Sequence, residues 1–307
     1  MIFSTSNGVL YYDGLKPICV LAKQLARPVA YQPIFKAREA QQMSYNLLQL
    51  TALIALVPAA LSPFRRSAER DGVFWLVWAV AVVGAALWVF VRQSAGWGTG
   101  LSTALWLTIF ACLLLYGCVC LLNEDAWRLS PLLLPYLMVL GLLATIWSQV
   151  PEKSLEGEAP LAWIGMHIFV SVATYGLVTL AAISALAAAL QIRALRSKKR
   201  DRLSSILPAV SSSERLLVQL LVTSEIVLAM GLMTGMAALY FKSGQVMTFD
   251  HKSALAVLVF VVLAILLLLH FQSGVRGKAA TQLVLLAYLL LTLGYPGVKF
   301  VTDILLS

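Results

Sequence analysis

The sequence predicts an all-α, polytopic integral membrane protein of about eight transmembrane helices, and three observations carry that prediction. Hydrophobic residues make up 60% of the 307-residue chain and charged residues only 12%. The mean hydropathy of +0.86 lies far above that of soluble globular domains. The apolar residues are gathered into runs, each near the roughly 20 residues that a helix rising about 1.5 Å per residue needs to cross the hydrocarbon core. Finally, the basic residues are concentrated in alternate connections between these runs, the pattern of a protein threaded back and forth through a bilayer.

The runs lie near Tyr45–Leu61, Phe74–Val91, Leu101–Leu121, Pro131–Trp147, Ala162–Leu190, Leu216–Phe241, Leu255–His270 and Gln282–Gly294. Between the fifth and sixth stands a dense basic cluster of Arg193, Arg196, Lys198, Lys199, Arg200, Arg202 and Arg215. Positively charged loops stay cytoplasmic, so this loop is expected to set the orientation of the rest, with Arg65, Arg66, Arg70, Arg128, Arg276 and Lys278 on the same side and both termini external. The other side carries only Arg92, Lys153, Lys242, Lys252 and Lys299. A net charge of +9 distributed in this way reads as membrane topology and not as a nucleic-acid surface.

Residues 1–42 break the pattern, since they would lie outside although they carry Lys16, Lys23, Arg27, Lys36 and Arg38. They contain no uninterrupted apolar stretch followed by a small-residue cleavage site, so they make a poor signal peptide. Two expectations remain open: a peripheral N-terminal tail, or translation that begins at Met43. The chain therefore divides into an N-terminal extension (1–42), a four-helix N-terminal membrane part (43–150) and a four-helix membrane core (151–307).

Four cysteines, Cys19, Cys112, Cys118 and Cys120, form no CxxC pair, so neither a disulfide framework nor a zinc site is expected; no CxxCH is present for covalent haem attachment. No Ser-His-Asp or Cys-His arrangement suggests a hydrolase. The three histidines are more telling. His167 falls about one and a half turns into the fifth span, whereas His251 and His270 stand at the two ends of the seventh. Nineteen residues of helix separate those two by about 28 Å, so they cannot share a metal, whereas His167 and His251 lie at similar depth on different helices. Neutral imidazole binds iron without bringing net charge into lipid, which makes all three candidate axial ligands; each taken singly also reads as a hydrogen-bonded interfacial residue. Glu225, about three turns into the sixth span, reads either as a neutral hydrogen-bonded acid or as part of a proton or cation pathway. Gly231 and Gly235 make a smooth groove for close helix approach. Ser211 and Glu214 are expected to form a capping box, and Trp97 to sit in an aromatic belt.

From WIGMHIFVSVATYGLVTLAAISALAAALQ to its C-terminus the sequence resembles the cytochrome c assembly family, the one containing CcsA, and within it the HemX and YpjD branch. MHIFVSVATYG is similar to the LHV-type segment that opens the family's core, LPAVSSSERL to the cytoplasmic entry into the next span, and LAMGLMTGMA to the Gly-rich span that follows. FDHKSALAVLVFVVLAILLLLHF is similar to the segment running from WDPKETW to LHTR, and GVRGKAA to the turn beyond it. The resemblance implies that His167 is an external haem ligand and His270 a transmembrane one, with Asp250 and Lys252 at the end of the external signature. It also implies haem b as cofactor, other cytochrome c assembly proteins as partners beside the lipid bilayer, a bacterial inner-membrane location, and an assembly factor rather than a stand-alone enzyme. The departures are specific. The signature's tryptophans are absent from KSGQVMTFDHK, His251 stands where the family has proline, and the chain ends GYPGVKFVTDILLS without the family's last external histidine. A second reading, a non-catalytic membrane regulator or scaffold linked to tetrapyrrole or metal-ion proteins, leaves the histidines structural; a third, weaker one is a small-solute transporter centred on Glu225.

Overall fold

The computed structural model describes residues 5–6, 9–10, 31–65, 69–94, 100–149, 161–198, 201–245, 251–274 and 277–301; for residues 5–6, 9–10, 31–42, 161, 162, 242, 243, 251, 252, 273 and 299 the backbone alone is described. Asp250, Trp97, the acidic loop at 151–160 and most of residues 1–42 therefore lie outside it. The chain falls into two units, Met1–Leu47 and Leu48–Ser307. In the first, Thr5–Ser6 and Val9–Leu10 pair as two short antiparallel strands.

Eight helices among the described residues are long and apolar enough to cross a membrane. We number them α1 (Tyr31–Leu61), α2 (Gly72–Ser94), α3 (Leu101–Leu122), α4 (Ser130–Ile146), α5 (Leu161–Ser197), α6 (Val210–Ser243), α7 (His251–Ser273) and α8 (Lys278–Thr292). The protein is thus an all-α polytopic membrane protein, as expected. In hydrocarbon every backbone N–H and C=O must be satisfied within the segment, and the helix does this without partners. Several helices outrun their apolar stretch: α5 continues through QIRALRS, because Ala, Leu, Gln and Arg favour helix on either side of a membrane boundary.

The ends follow from local chemistry. At the start of α2 the Asp71 carboxylate accepts the Phe74 N–H at 2.9 Å and pairs with Arg65 at 3.3 Å. Helix α6 stops at Gly244, whose φ of +68° favours glycine and whose N–H reaches the Tyr240 carbonyl at 2.8 Å. The expected capping box at Ser211 and Glu214 does not form. The helix begins immediately after Pro208 and Ala209, and the Ser213 N–H to Ala209 carbonyl bond of 2.9 Å closes its first turn, so Ser211 and Glu214 already lie inside it.

Within Leu48–Ser307, α5 is the most buried span and α3 the next; α5 packs against α3, α6 and α8, and α7 packs against α6 and α8. Close approach is built from small residues: a Cβ placed on Gly117 of α3 would fall 2.1 Å from the Trp78 ring of α2, and one on Gly84 would fall 2.8 Å from Ala55. Polar side chains tie the bundle through main-chain carbonyls. Gln49 Nε2 and Ser102 Oγ both donate to the Ala144 carbonyl, at 3.0 and 2.8 Å, and Trp78 Nε1 donates to that of Leu113 at 3.0 Å.

The basic connections share one end. Arg202 donates to the Phe64 carbonyl at 2.5 Å and Ser212 to Asp125 at 2.6 Å, joining the α1–α2, α3–α4 and α5–α6 connections. We call this the basic end.

Candidate functional site

At the end away from the basic connections, α5, α6, α7 and α8 diverge around a cavity of about 600 Å³, a size typical of small-molecule sites. Most of its wall is apolar, with Leu228 and Leu232 contributed by α6 and Leu255 by α7. Its polar lining comes from His167, Ser171, Thr174 and Tyr175 of α5, Ser253 of α7 and Tyr295 after α8. The α5 residues stand at i, i+4, i+7 and i+8; on α8 and the π-helical turn after it (Leu293–Gly297), Tyr288 and Thr292, which lie behind the lining, share the spacing i, i+4 and i+7 with Tyr295. Spacings of three, four and seven put a polar stripe on one face of an otherwise apolar helix.

His167 is held with little freedom. Its Nδ1 lies 3.2 Å from the Gly231 carbonyl and 3.4 Å from Thr234 Oγ1. A carbonyl only accepts, so the proton sits on Nδ1 and the Nε2 lone pair is left available; among the described residues Nε2 makes no hydrogen bond. The ring lies flush on α6: a Cβ on Gly235 would come within 3.0 Å of Cε1 and 3.3 Å of Nδ1, and one on Gly231 within 3.4 Å of Val170. The glycine groove expected as packing is therefore also the bed of the histidine.

Behind the cavity runs a chain of hydroxyls that sequence reasoning missed. Thr292 Oγ1 donates to the Tyr288 carbonyl at 2.8 Å. Its proton spent, Thr292 accepts from Tyr175 at 3.1 Å, Tyr175 accepts from Tyr288 at 3.3 Å, and Tyr288 accepts from Tyr136 of α4. Each hydroxyl has one proton, so the order Tyr136, Tyr288, Tyr175, Thr292 is the only one that uses all four. The signal was legible as the repeated i, i+4, i+7 spacing of polar residues within apolar spans.

The other histidines lie elsewhere. His270 lines a separate, water-sized cavity of about 20 Å³ at the basic end, together with Glu214 and Thr281. Helix α7 is unbroken from His251 to Ser273, which leaves His251 and His270 at its opposite ends, about 28 Å apart by helix rise. The His251 side chain lies outside the described residues; its helix end adjoins the large cavity, since Ser253 lines it. No group of three or more His, Cys, Asp or Glu occurs among the described residues, so the single nitrogen of His167 suits one axial position of a macrocycle-bound iron better than a metal ion held by protein ligands alone. Cys112, Cys118 and Cys120 are free thiols of α3, and none of them lines either cavity.

Eight membrane-compatible spans, a long α5 bearing a fixed imidazole, and a ligand-sized cavity at the end away from the basic connections define a polytopic membrane protein whose C-terminal helices enclose a cavity. The profile of the cytochrome c assembly protein family matches residues 46–306, and the chain belongs to that family. It is 52% identical over 271 residues to an uncharacterised 28.8 kDa protein of Azospirillum brasilense, named for its place in the nifR3-like 5′ region, an alignment covering 86% of this chain and 100% of that protein. Membership places the protein in cytochrome c biogenesis.

Proposed function

We infer that the protein is a haem-handling factor of cytochrome c assembly in a bacterial inner membrane, and that His167 presents Nε2 to haem b in the large cavity. The observation that supports this is the fixed tautomer: the Gly231 carbonyl takes the Nδ1 proton, orienting the ring as backbone carbonyls orient metal-bound histidines elsewhere. Haem bound there would supply an iron whose redox state the axial ligands set. The protein's residues do the rest. Gly231 and Gly235 hold the imidazole, Leu228 and Leu232 exclude water, and the hydroxyl stripe gives the chamber its polar side. With the basic end cytoplasmic, as the charge bias favours, the chamber opens near the external face, both termini are external and the four-helix core of residues 151–307 carries the site. His251 is the candidate opposing ligand, and His270 serves a separate inner site.

The test is the absorption spectrum of protein purified in mild detergent from haem-replete cells. A Soret band with sharp reduced bands is expected; its absence would leave a regulator or scaffold role in place of this one. His167→Gly should lose the low-spin spectrum and exogenous imidazole should restore it, because imidazole fills the space that the substitution opens.

A further inference from the structure

Glu225 belongs to neither cavity, yet it stands between them. On α6 the residues Val218 and Leu221 line the small cavity, and Leu228, Leu232 and Gly235 the large one. Glu225 continues this row at the alternating spacing of four and three that keeps residues on one helix face. It is one turn, about 6 Å by helix rise, beyond Leu221 and slightly less before Leu228. Both of its carboxylate oxygens are buried, and neither has a hydrogen-bond partner among the described residues.

This is a poor structural residue. A carboxylate without partners in such surroundings is strongly disfavoured, and even the neutral acid leaves a buried hydroxyl unsatisfied. Leucine, which flanks it at 221 and 228, would fill the same row without that cost. A transition-metal ion is poorly served by the donor set, since the described residues contain no group of three or more His, Cys, Asp or Glu to share it. A carboxyl whose two oxygens have no other partner among the described residues is suited to take up and release a proton.

The neighbouring helices leave Glu225 alone at this depth. Helix α6 packs against α5 and α7. The titratable and charged groups of α5 are His167 and Tyr175 toward the large cavity and Arg193 and Arg196 at the basic end; those of α7 are His251, Lys252 and His270 at its two ends. On α6 itself they are Glu214, Arg215, Tyr240 and Lys242, again near the ends. The turn of protein that separates the two cavities therefore has one titratable side chain from these three helices.

We propose that Glu225 is a proton-transfer site midway through the membrane, cycling between carboxylic acid and carboxylate to pass a proton between the small cavity at the basic end and the large cavity at the other. No other bond changes; the proton arrives from water on one side and leaves to water on the other. The inference goes beyond the haem reading and does not depend on what fills the large cavity.

The full-length protein, reconstituted without haem into liposomes with a trapped pH-sensitive dye, is given a pH gradient with potassium and valinomycin to balance charge. Collapse of the gradient should be faster than in protein-free liposomes. Glu225→Gln, which keeps the shape and removes the exchangeable proton, should slow the protein-dependent rate about tenfold or more, and Glu225→Asp should retain part of it. Wild-type protein no faster than empty liposomes, or Glu225→Gln as fast as wild type, overturns the proposal. Dicyclohexylcarbodiimide, which adds to protonated carboxyls in apolar surroundings, gives a check free of folding effects: it should label Glu225 in wild-type protein, as read by mass spectrometry, and block the flux. Labelled protein with undiminished flux also overturns it. Glu225→Leu should melt no lower than wild type; a large loss of stability would mark the residue as structural and refute the argument from cost.

Discussion

At the scale of single residues, the site turns on how His167 is held. Its imidazole was legible in the sequence as a rare histidine in an apolar span, but its orientation was not, because the Gly231 carbonyl and the bed at Gly235 come from a helix more than sixty residues away in the chain. Gly235→Ala tests that bed. The new methyl would stand 3.0 Å from Cε1, so the ring must turn from the Gly231 carbonyl; overpacking of this kind costs about 1–3 kcal/mol. Haem content should fall and the low-spin bands should broaden while protein accumulates normally, as absorption against protein amount would show. His251→Gly probes the opposite side of the chamber. Loss of low-spin character is expected, and an unchanged spectrum would remove His251 as the opposing ligand without touching the role of His167. In the hydroxyl chain, Tyr288→Phe takes the link between Tyr136 and Tyr175, leaving buried hydroxyls without their partner at a cost of about 1–3 kcal/mol. A lower melting temperature in detergent is the expected outcome, and Tyr136→Phe, which removes only the terminal donor, should cost less.

Among the elements, helix ends and helix contacts respond to different perturbations. The N-terminus of α2 depends on Asp71: the Phe74 N–H it accepts holds its carboxyl below the ordinary carboxylate value, with Arg65 adding in the same direction. A carboxyl whose folded pKa is depressed contributes stability above its unfolded pKa and loses that contribution as pH falls through the folded value. The wild-type protein should therefore lose part of its stability only in the acid range, and Asp71→Asn should flatten that part of the melting-temperature profile between neutral and acid pH. Contacts between spans answer to volume instead. Gly117→Leu would drive a side chain into the Trp78 ring, whose Nε1 holds the Leu113 carbonyl, and α2 and α3 would have to part; protease sensitivity in isolated membranes would report it. Periodicity and charge located all eight spans, yet the start of α6 was misplaced at a capping box, because Ser211 and Glu214 satisfy the motif wherever they fall and only the path after Pro208 decides where the first turn closes.

For the whole molecule, the arrangement is two cavities at opposite ends of one four-helix core, with His167 in one and His270 in the other. On the proposed function this makes the histidines unequal. His270→Gly should lower the amount of haem loaded while leaving the spectrum of the bound fraction unchanged in shape, since the two sites lie about a bilayer core apart. A changed spectral shape would place both histidines on one iron and contradict the separation.

What the sequence determined by itself is everything that depends on transfer from water to lipid: the number of spans, their approximate limits, the grouping of basic loops, and the depth of each histidine along its own helix. These follow from composition and from a fixed rise per residue, and need no knowledge of neighbours. The tertiary structure decided which faces meet. Lipid and protein interior are equally apolar, so hydropathy cannot mark the side of α5 that turns toward α6, nor show that Tyr136, Tyr175, Tyr288 and Thr292 converge from three helices. Nor could it show that Glu225 occupies the partition between two cavities, because a partition exists only once the helices that line both sides have been packed together.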